Sequence, residues 1–125
     1  KSGQDHALRS VASPDGRPAC TEILRVAHLT AAGGAAVSLV EVQLHTGRFH
    51  QIRAHAAHEG HPLVGDGSYN GHGFLGRCPR VFLHEYRLQL LSCSASSAVA
   101  LLPPVDQRCA LPGDLRGFME TLQSA

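Results

Sequence analysis

Between Leu44 and Tyr69 the chain gathers side chains that carry charge, bind anions or exchange protons: Arg48, His50, Arg53, His55, His58, His61 and Asp66. One chemistry they suggest is anion recognition. Arg48 stands just before a short helix expected to open at about His50, and Arg53 lies one turn inside it. Spacing of three to four residues sets His50, Arg53 and Ala57 along one helical face. An anion there would meet arginine charge together with the free N–H groups of the helix N-terminus. The other chemistry is metal binding. His55, His58 and His61 recur every third residue, a step that walks around a helix instead of converging. His58-Glu59-Gly60-His61 also lacks the i, i+4 histidine pair of a zincin helix. Helix-terminal or hydrogen-bonded histidines explain these positions more simply, and no metal site is expected.

The elements that would hold these residues can be read on both sides. Residues Ala19 to His28 alternate loosely, with Leu24 and Val26 set against Ile23 and Arg25, and read as a strand. Ala31-Ala32-Gly33-Gly34 is a loop. Val37 to Leu44 is a second strand, with Val40, Val42 and Leu44 on one face, and the two should pair as a hairpin. A Thr46-Gly47 turn then delivers the chain to the site helix, which Gly60-His61-Pro62 stops; Gly65-Asp66-Gly67 turns the chain again. Asn70 to Pro79 is a glycine-rich connector. Glu85 to Leu90 alternates, with Tyr86, Leu88 and Leu90 expected inward. Ser97 to Leu102 reads as a further short strand, ended by Pro103-Pro104. Asp114 can cap a last helix whose stripe of Leu115, Phe118, Met119 and Leu122 should pack on the sheet. Residues 1–17 form an irregular lead-in with a Ser13-Pro14-Asp15-Gly16 turn.

Composition sets the bounds. The chain has 125 residues, room for one domain with a modest core. A formal net charge of +1 gives no basic field that would announce a nucleic-acid partner. Ten of the eleven Lys and Arg residues are arginine. That bias favours bidentate phosphate contacts, or reflects only a codon preference, and both readings stay open. Cys20, Cys78, Cys93 and Cys109 are widely spaced with no C-x-x-C pair, which argues against a zinc ribbon or a thioredoxin-like motif. No signal peptide is visible, so a reducing, intracellular setting is expected. No apolar run approaches the ~18 residues of a membrane span.

Taken together, Thr46-Gly47-Arg48, His50-Gln51-Ile52-Arg53, His55, Gly60-His61-Pro62 and Gly65-Asp66 with Tyr69 resemble the signature of the RluA-type pseudouridine synthases. That signature runs roughly T-G-R-[ST]-H-Q-[IL]-R-x-H, then G-H-P, then G-D-x-x-Y, and so many fixed positions in one register make a specific match. Arg80 with Leu83-His84 resembles the family's R-x-x-L-H-[AS] segment. Two positions depart from the pattern. Phe49 stands where the family has Thr or Ser, which removes a hydroxyl from the helix start. Glu85 replaces a small residue. The resemblance covers roughly residues 18 to 112, the C-terminal half of the family's catalytic domain.

The resemblance implies an α+β fold: a mixed, mainly antiparallel sheet with a short site helix and a C-terminal helix, part of the pseudouridine synthase catalytic fold. It implies isomerisation of uridine to pseudouridine in RNA without a cofactor. By position, Arg53 would be the catalytic-site arginine that pairs with the family's aspartate and offsets the cost of enclosing that carboxylate. Leu83 would pack near the target base; Arg48, His50, Gln51 and Arg80 are candidate RNA contacts or supports. The family's aspartate sits in an upstream R-L-D segment, and these 125 residues contain none. A further polypeptide segment or chain is therefore expected to complete the sheet and supply the acid. Two other functions compete: a catalytically silent relative serving as an RNA-binding or ribosome-associated scaffold, and an unrelated small metal-dependent hydrolase.

Overall fold

The computed structural model describes residues 9–71, 78–90 and 104–125. In chain order the elements are β1 (Thr21–Thr30), β2 (Ala36–Leu44), α1 (Gln51–His58), a 3₁₀ turn (Gly67–Tyr69), β3 (Arg87–Leu90), β4 (Val105–Arg108), α2 (Gly113–Met119) and β5 (Gln123–Ser124). The fold is α+β, with two antiparallel sheets: β2-β1-β5 and β3-β4. The strand expected at Ser97 to Leu102, and most of the glycine-rich connector, lie outside the described residues.

The β1–β2 hairpin forms as its alternation suggests, closed by Ala31 N–H to Ala35 O (2.8 Å) and Gly34 N–H to Ala31 O (3.0 Å). Its faces differ from the simple alternation in one respect. Ile23 pairs with Val42, but the next paired residue is Arg25, opposite Glu41, so Leu24 is an inserted bulge residue. A bulge shifts the side-chain parity of everything after it. Ile23 and Val26 thereby share one face with their partners Val42 and Val40, and Arg25 and Glu41 fall on the other, ion-paired at 2.5 Å. That apolar face stays open: Ile23 is 63% exposed and Val26 49%.

Helix α1 ends in a Schellman motif. Gly60 N–H bonds Ala57 O (3.0 Å), His61 N–H bonds Ala56 O (2.8 Å), and Gly60 takes a φ of +80° that favours glycine. Pro62 follows, where a helix could not continue. The core lies elsewhere. Leu115 and Phe118 of α2 are buried with Cys78, flanked by Val64, Phe82, Leu111 and Leu122. The α2 stripe thus packs on the irregular 78–82 strip instead of on a sheet, and α2 is tied to β1 through the short strand β5 that follows it. Pro112, not Asp114, is the N-cap residue of α2. Asp114 sits in the first turn, where its Oδ1 accepts the Leu115 N–H (2.8 Å). Tyr86, Leu88 and Leu90, expected inward, are exposed: the β3–β4 ribbon carries no apolar layer against them among the described residues. No helix among the described residues is long and apolar enough to cross a membrane.

Candidate functional site

The site is built on the turn between β2 and α1. The backbone reverses at Thr46-Gly47, and the Gln51 amide holds the reversal shut. Its Oε1 accepts the Thr46 hydroxyl (2.7 Å) and the Arg48 N–H (3.1 Å); its Nε2 donates to Cys20 O (3.0 Å) and to Thr21 Oγ1 (2.9 Å). Thr46 Oγ1 also accepts the Cys20 N–H (2.9 Å). Thr21 Oγ1, which accepts from Gln51, also lies 2.9 Å from His55 Nδ1. Gln51 is only 5% exposed, and all four of its bonds stay within the chain, so it stitches the start of α1 to the start of β1. The Thr/Ser hydroxyl absent at Phe49 is not replaced: α1 has no side-chain cap at its N-cap residue, His50, which adopts a left-handed conformation (φ +53°).

That conformation serves a second purpose. The His50 ring lies between Tyr69 and Arg53, with Nδ1 3.2 Å from the Tyr69 hydroxyl and Nε2 3.0 Å from Arg53 Nη1. Arginine only donates, so Nε2 is the acceptor and Nδ1 carries the proton toward Tyr69. Arg53 in turn forks onto Asp66, Nε to Oδ2 at 2.8 Å and Nη2 to Oδ1 at 2.7 Å. The Asp66 side chain is fully buried and that of Arg53 19% exposed. A bidentate, charge-assisted pair of this kind is among the strongest polar contacts a protein makes. It holds the guanidinium even more firmly protonated than usual, chiefly through the Asp66 hydrogen bond. The Tyr69 ring stacks beneath the same guanidinium, 5.2 Å from centroid to Cζ. Asp66 is fixed from its backbone too: its carbonyl accepts from Tyr69 N–H (3.1 Å) and Gly71 N–H (2.7 Å).

The remaining sequence candidates are spread around this knot. Arg48 is exposed, its Nε on Pro18 O at 3.1 Å. Arg80 and Leu83 sit on the strip that passes behind the Gly65 turn. Phe82 N–H bonds Val64 O (2.8 Å), and a Cβ on Gly65 would lie 2.4 Å from Arg80 O, so only glycine permits this approach. The Arg80 guanidinium turns to Asp114 (2.7 Å), and that hydrogen bond depresses the Asp114 carboxyl below its ordinary range. Leu83 is half-buried. Thus Arg48, His50, Gln51 and Arg53 gather at one turn, while Arg80 and Leu83 belong to the neighbouring strip. Sequence reasoning gave Asp66 to the turn; it is also the buried counter-ion of Arg53. The available signal was that Asp66 is the only aspartate between Leu44 and Tyr69. Among the described residues no three His, Cys, Asp or Glu side chains converge as metal ligands. A hollow of about 390 Å³ lies beside the β1–β2 turn, at Thr30 and Gln123, and does not touch Arg53.

Comparison with known proteins bears on this site directly. The family model described as RNA pseudouridylate synthase matches residues 2–58, ending on the last residue of α1. An uncharacterized RNA pseudouridine synthase of Chloroflexus aurantiacus is 39% identical over 116 residues, covering 93% of this chain and 33% of the relative. One of Bacillus subtilis is 33% identical over 118 residues, 94% of this chain and 35% of its own length. RNA pseudouridine synthase 5 of Arabidopsis thaliana is 46% identical over 59 residues, 47% of this chain and 15% of the relative. The chain therefore spans about a third of the length of the first two curated relatives. No solved structure matches it.

Proposed function

The chain belongs to the RNA pseudouridine synthase family, and from that premise we propose that it forms the arginine-bearing part of an RluA-type enzyme isomerising uridine in RNA. The observation that carries the reading is the buried Arg53–Asp66 fork, with His50 and Tyr69 closed around it, at the centre of the signature. In the reaction the C1′–N1 bond of the uridine breaks, the uracil turns, and a C1′–C5 bond forms; C5 gives up its proton and N1 gains one. An enzyme carboxylate acts on the sugar, as nucleophile or as base. Three of the five N–H groups of Arg53 are engaged by Asp66 and His50. Two remain for an incoming carboxylate. Asp66 is then the resident acid that fixes the guanidinium plane, and the catalytic acid is a second one, brought by the R-L-D segment that these residues lack.

The open hairpin faces support a second part of the proposal. Ile23, Val26 and Val40 are exposed, and the outer edge of β2 has no strand partner among the described residues. A further polypeptide segment bearing the aspartate would cover this surface as it completes the site. In this reading Arg48 and Arg80 contact the RNA backbone and Leu83 packs near the base, inside the cell where RNA is found.

The test is tritium release from RNA carrying C5-tritiated uridine. The chain alone should release none. Adding a polypeptide with the R-L-D segment should restore release, and Arg53→Lys should lower it about 100-fold, because a point charge cannot replace a positioned fork. Release by the chain alone, or full activity in Arg53→Lys, would sink the proposal.

A further inference from the structure

Phe49 is the residue at which this chain leaves the signature, and the structure gives it an unusual setting. An apolar ring at a turn normally folds inward, yet Phe49 is 59% exposed. It is not loose. Its ring stacks face to face on His50, centroids 3.8 Å apart and planes within 19°. His50 is itself held through both nitrogens, by Tyr69 and by Arg53. The Phe49 carbonyl accepts a short hydrogen bond from the Ser10 hydroxyl. One face of the Phe49 ring is thus anchored, through His50, to the buried ion pair, and the rest of the ring is open.

We propose that Phe49 is a stacking platform for an unpaired base of the RNA. The inference rests on the RNA reading above and adds a contact that the Ser or Thr of the family pattern could not make. The setting favours a base over a protein side chain as the occupant. The neighbours of Phe49 in the chain are the exposed cation Arg48 and the imidazole of His50, not apolar residues. Aromatic rings interleaved with arginine are the surface on which single-stranded nucleic acid stacks, the ring taking the base and the cation the phosphate. The ring is also ordered before any partner arrives, so stacking costs little additional side-chain freedom. Enzymes of this family must take the target base out of its stack, and flanking bases left unpaired would meet such a ring.

The experiment is binding of the 125-residue chain to fluorescein-labelled single-stranded oligouridylate by anisotropy, with abasic sites scanned along the oligonucleotide. Phe49→Ala should weaken binding about tenfold and Phe49→Trp should preserve it. An abasic site at one position should cost the parent chain a similar factor and cost Phe49→Ala nothing there. Unchanged affinity in Phe49→Ala, with parent binding that weakens as salt rises, overturns the stacking contact and leaves the RNA reading standing. Penalties from Phe49→Ala and the abasic site that simply multiply overturn it too, since they would report a loosened turn. No binding by the parent chain at any salt concentration overturns the stacking contact, and the RNA reading then stands or falls on tritium release with the added segment.

Discussion

In the knot around Arg53 polar side chains are inside: Asp66 is fully buried, Gln51 nearly so, and Arg53 mostly buried. In the β1–β2 hairpin the apolar side chains are outside, with Ile23, Val26 and Val40 all open to solvent. A self-sufficient domain sorts its residues the other way. The difference lies in the partners each region has among the described residues. Around Arg53 each buried polar group finds its partner in the turn, in α1 or at the start of β1, and among the described residues no buried side-chain donor or acceptor is orphaned. The two hairpin strands pair with each other, but among the described residues the outer edge of β2 has no strand partner and the exposed apolar side chains have no second layer. Among the described residues the knot is closed on itself, and the apolar hairpin face is uncovered.

The sharpest way to break this comparison is Asp66→Ala. It would leave a mostly buried guanidinium facing a void, and removing one partner of a buried pair costs about 3–5 kcal/mol. Against a total stability on the order of 5–15 kcal/mol for an ordinary domain, that loss should unfold the turn and α1. Urea denaturation followed by helical circular dichroism measures it. A cost below about 1 kcal/mol would mean that the fork is solvated and the knot is not self-contained.

The opposite expectation holds for the hairpin. Val26→Thr with Val40→Thr alters a directly paired, exposed couple and should shift the stability of the isolated chain by about 0.5 kcal/mol or less. The same double change should weaken assembly with the R-L-D segment, because there the pair would lose apolar burial. A stability loss in the isolated chain as large as that from Asp66→Ala would show that this face is already covered.

How much of this the sequence discloses follows the same division. The hairpin, the Gly60-His61-Pro62 stop and the grouping of Arg48, His50, Gln51 and Arg53 are legible because they depend on neighbours within a few residues: alternation, a left-handed glycine, helical spacing. What escapes depends on contacts made at a distance. The bulge at Leu24, which moves Ile23 onto the face of Val26, shows only in the register against β2. The α2 stripe is correctly apolar, yet its seat on Cys78, Val64 and Phe82 is set by where the 78–82 strip passes. Tyr86, Leu88 and Leu90 alternate as if buried and are exposed, since a pattern records the burial a strand is suited to, not whether the covering layer is present. Asp66 is the instructive case. Its place in a G-D turn accounts for its backbone and gives no hint that its side chain reaches Arg53, 13 residues earlier.

The smallest effect sharpens the comparison from the surface side. Arg80–Asp114 and Arg87–Asp106 have the same fork-on-carboxylate chemistry as Arg53–Asp66, with carboxylates 41% and 48% exposed. In each, the arginine hydrogen bond lowers the carboxyl below its ordinary value of 3.8. A carboxyl whose folded value is depressed adds stability above its unfolded value, and that contribution disappears as pH falls through the lower, folded value. At neutral pH Asp114→Asn should therefore be slightly less stable than the parent chain, with the gap closing below about pH 4. Because these pairs are exposed, about 1 M salt should shrink the gap at neutral pH, while the effect of Asp66→Ala persists. Urea midpoints at pH 7 and pH 3, at low and high salt, would measure both. If the Asp114→Asn gap ignores salt and acid alike, the Arg80 pair is structural in the manner of Arg53, and the contrast between a buried knot and solvated surface pairs no longer holds.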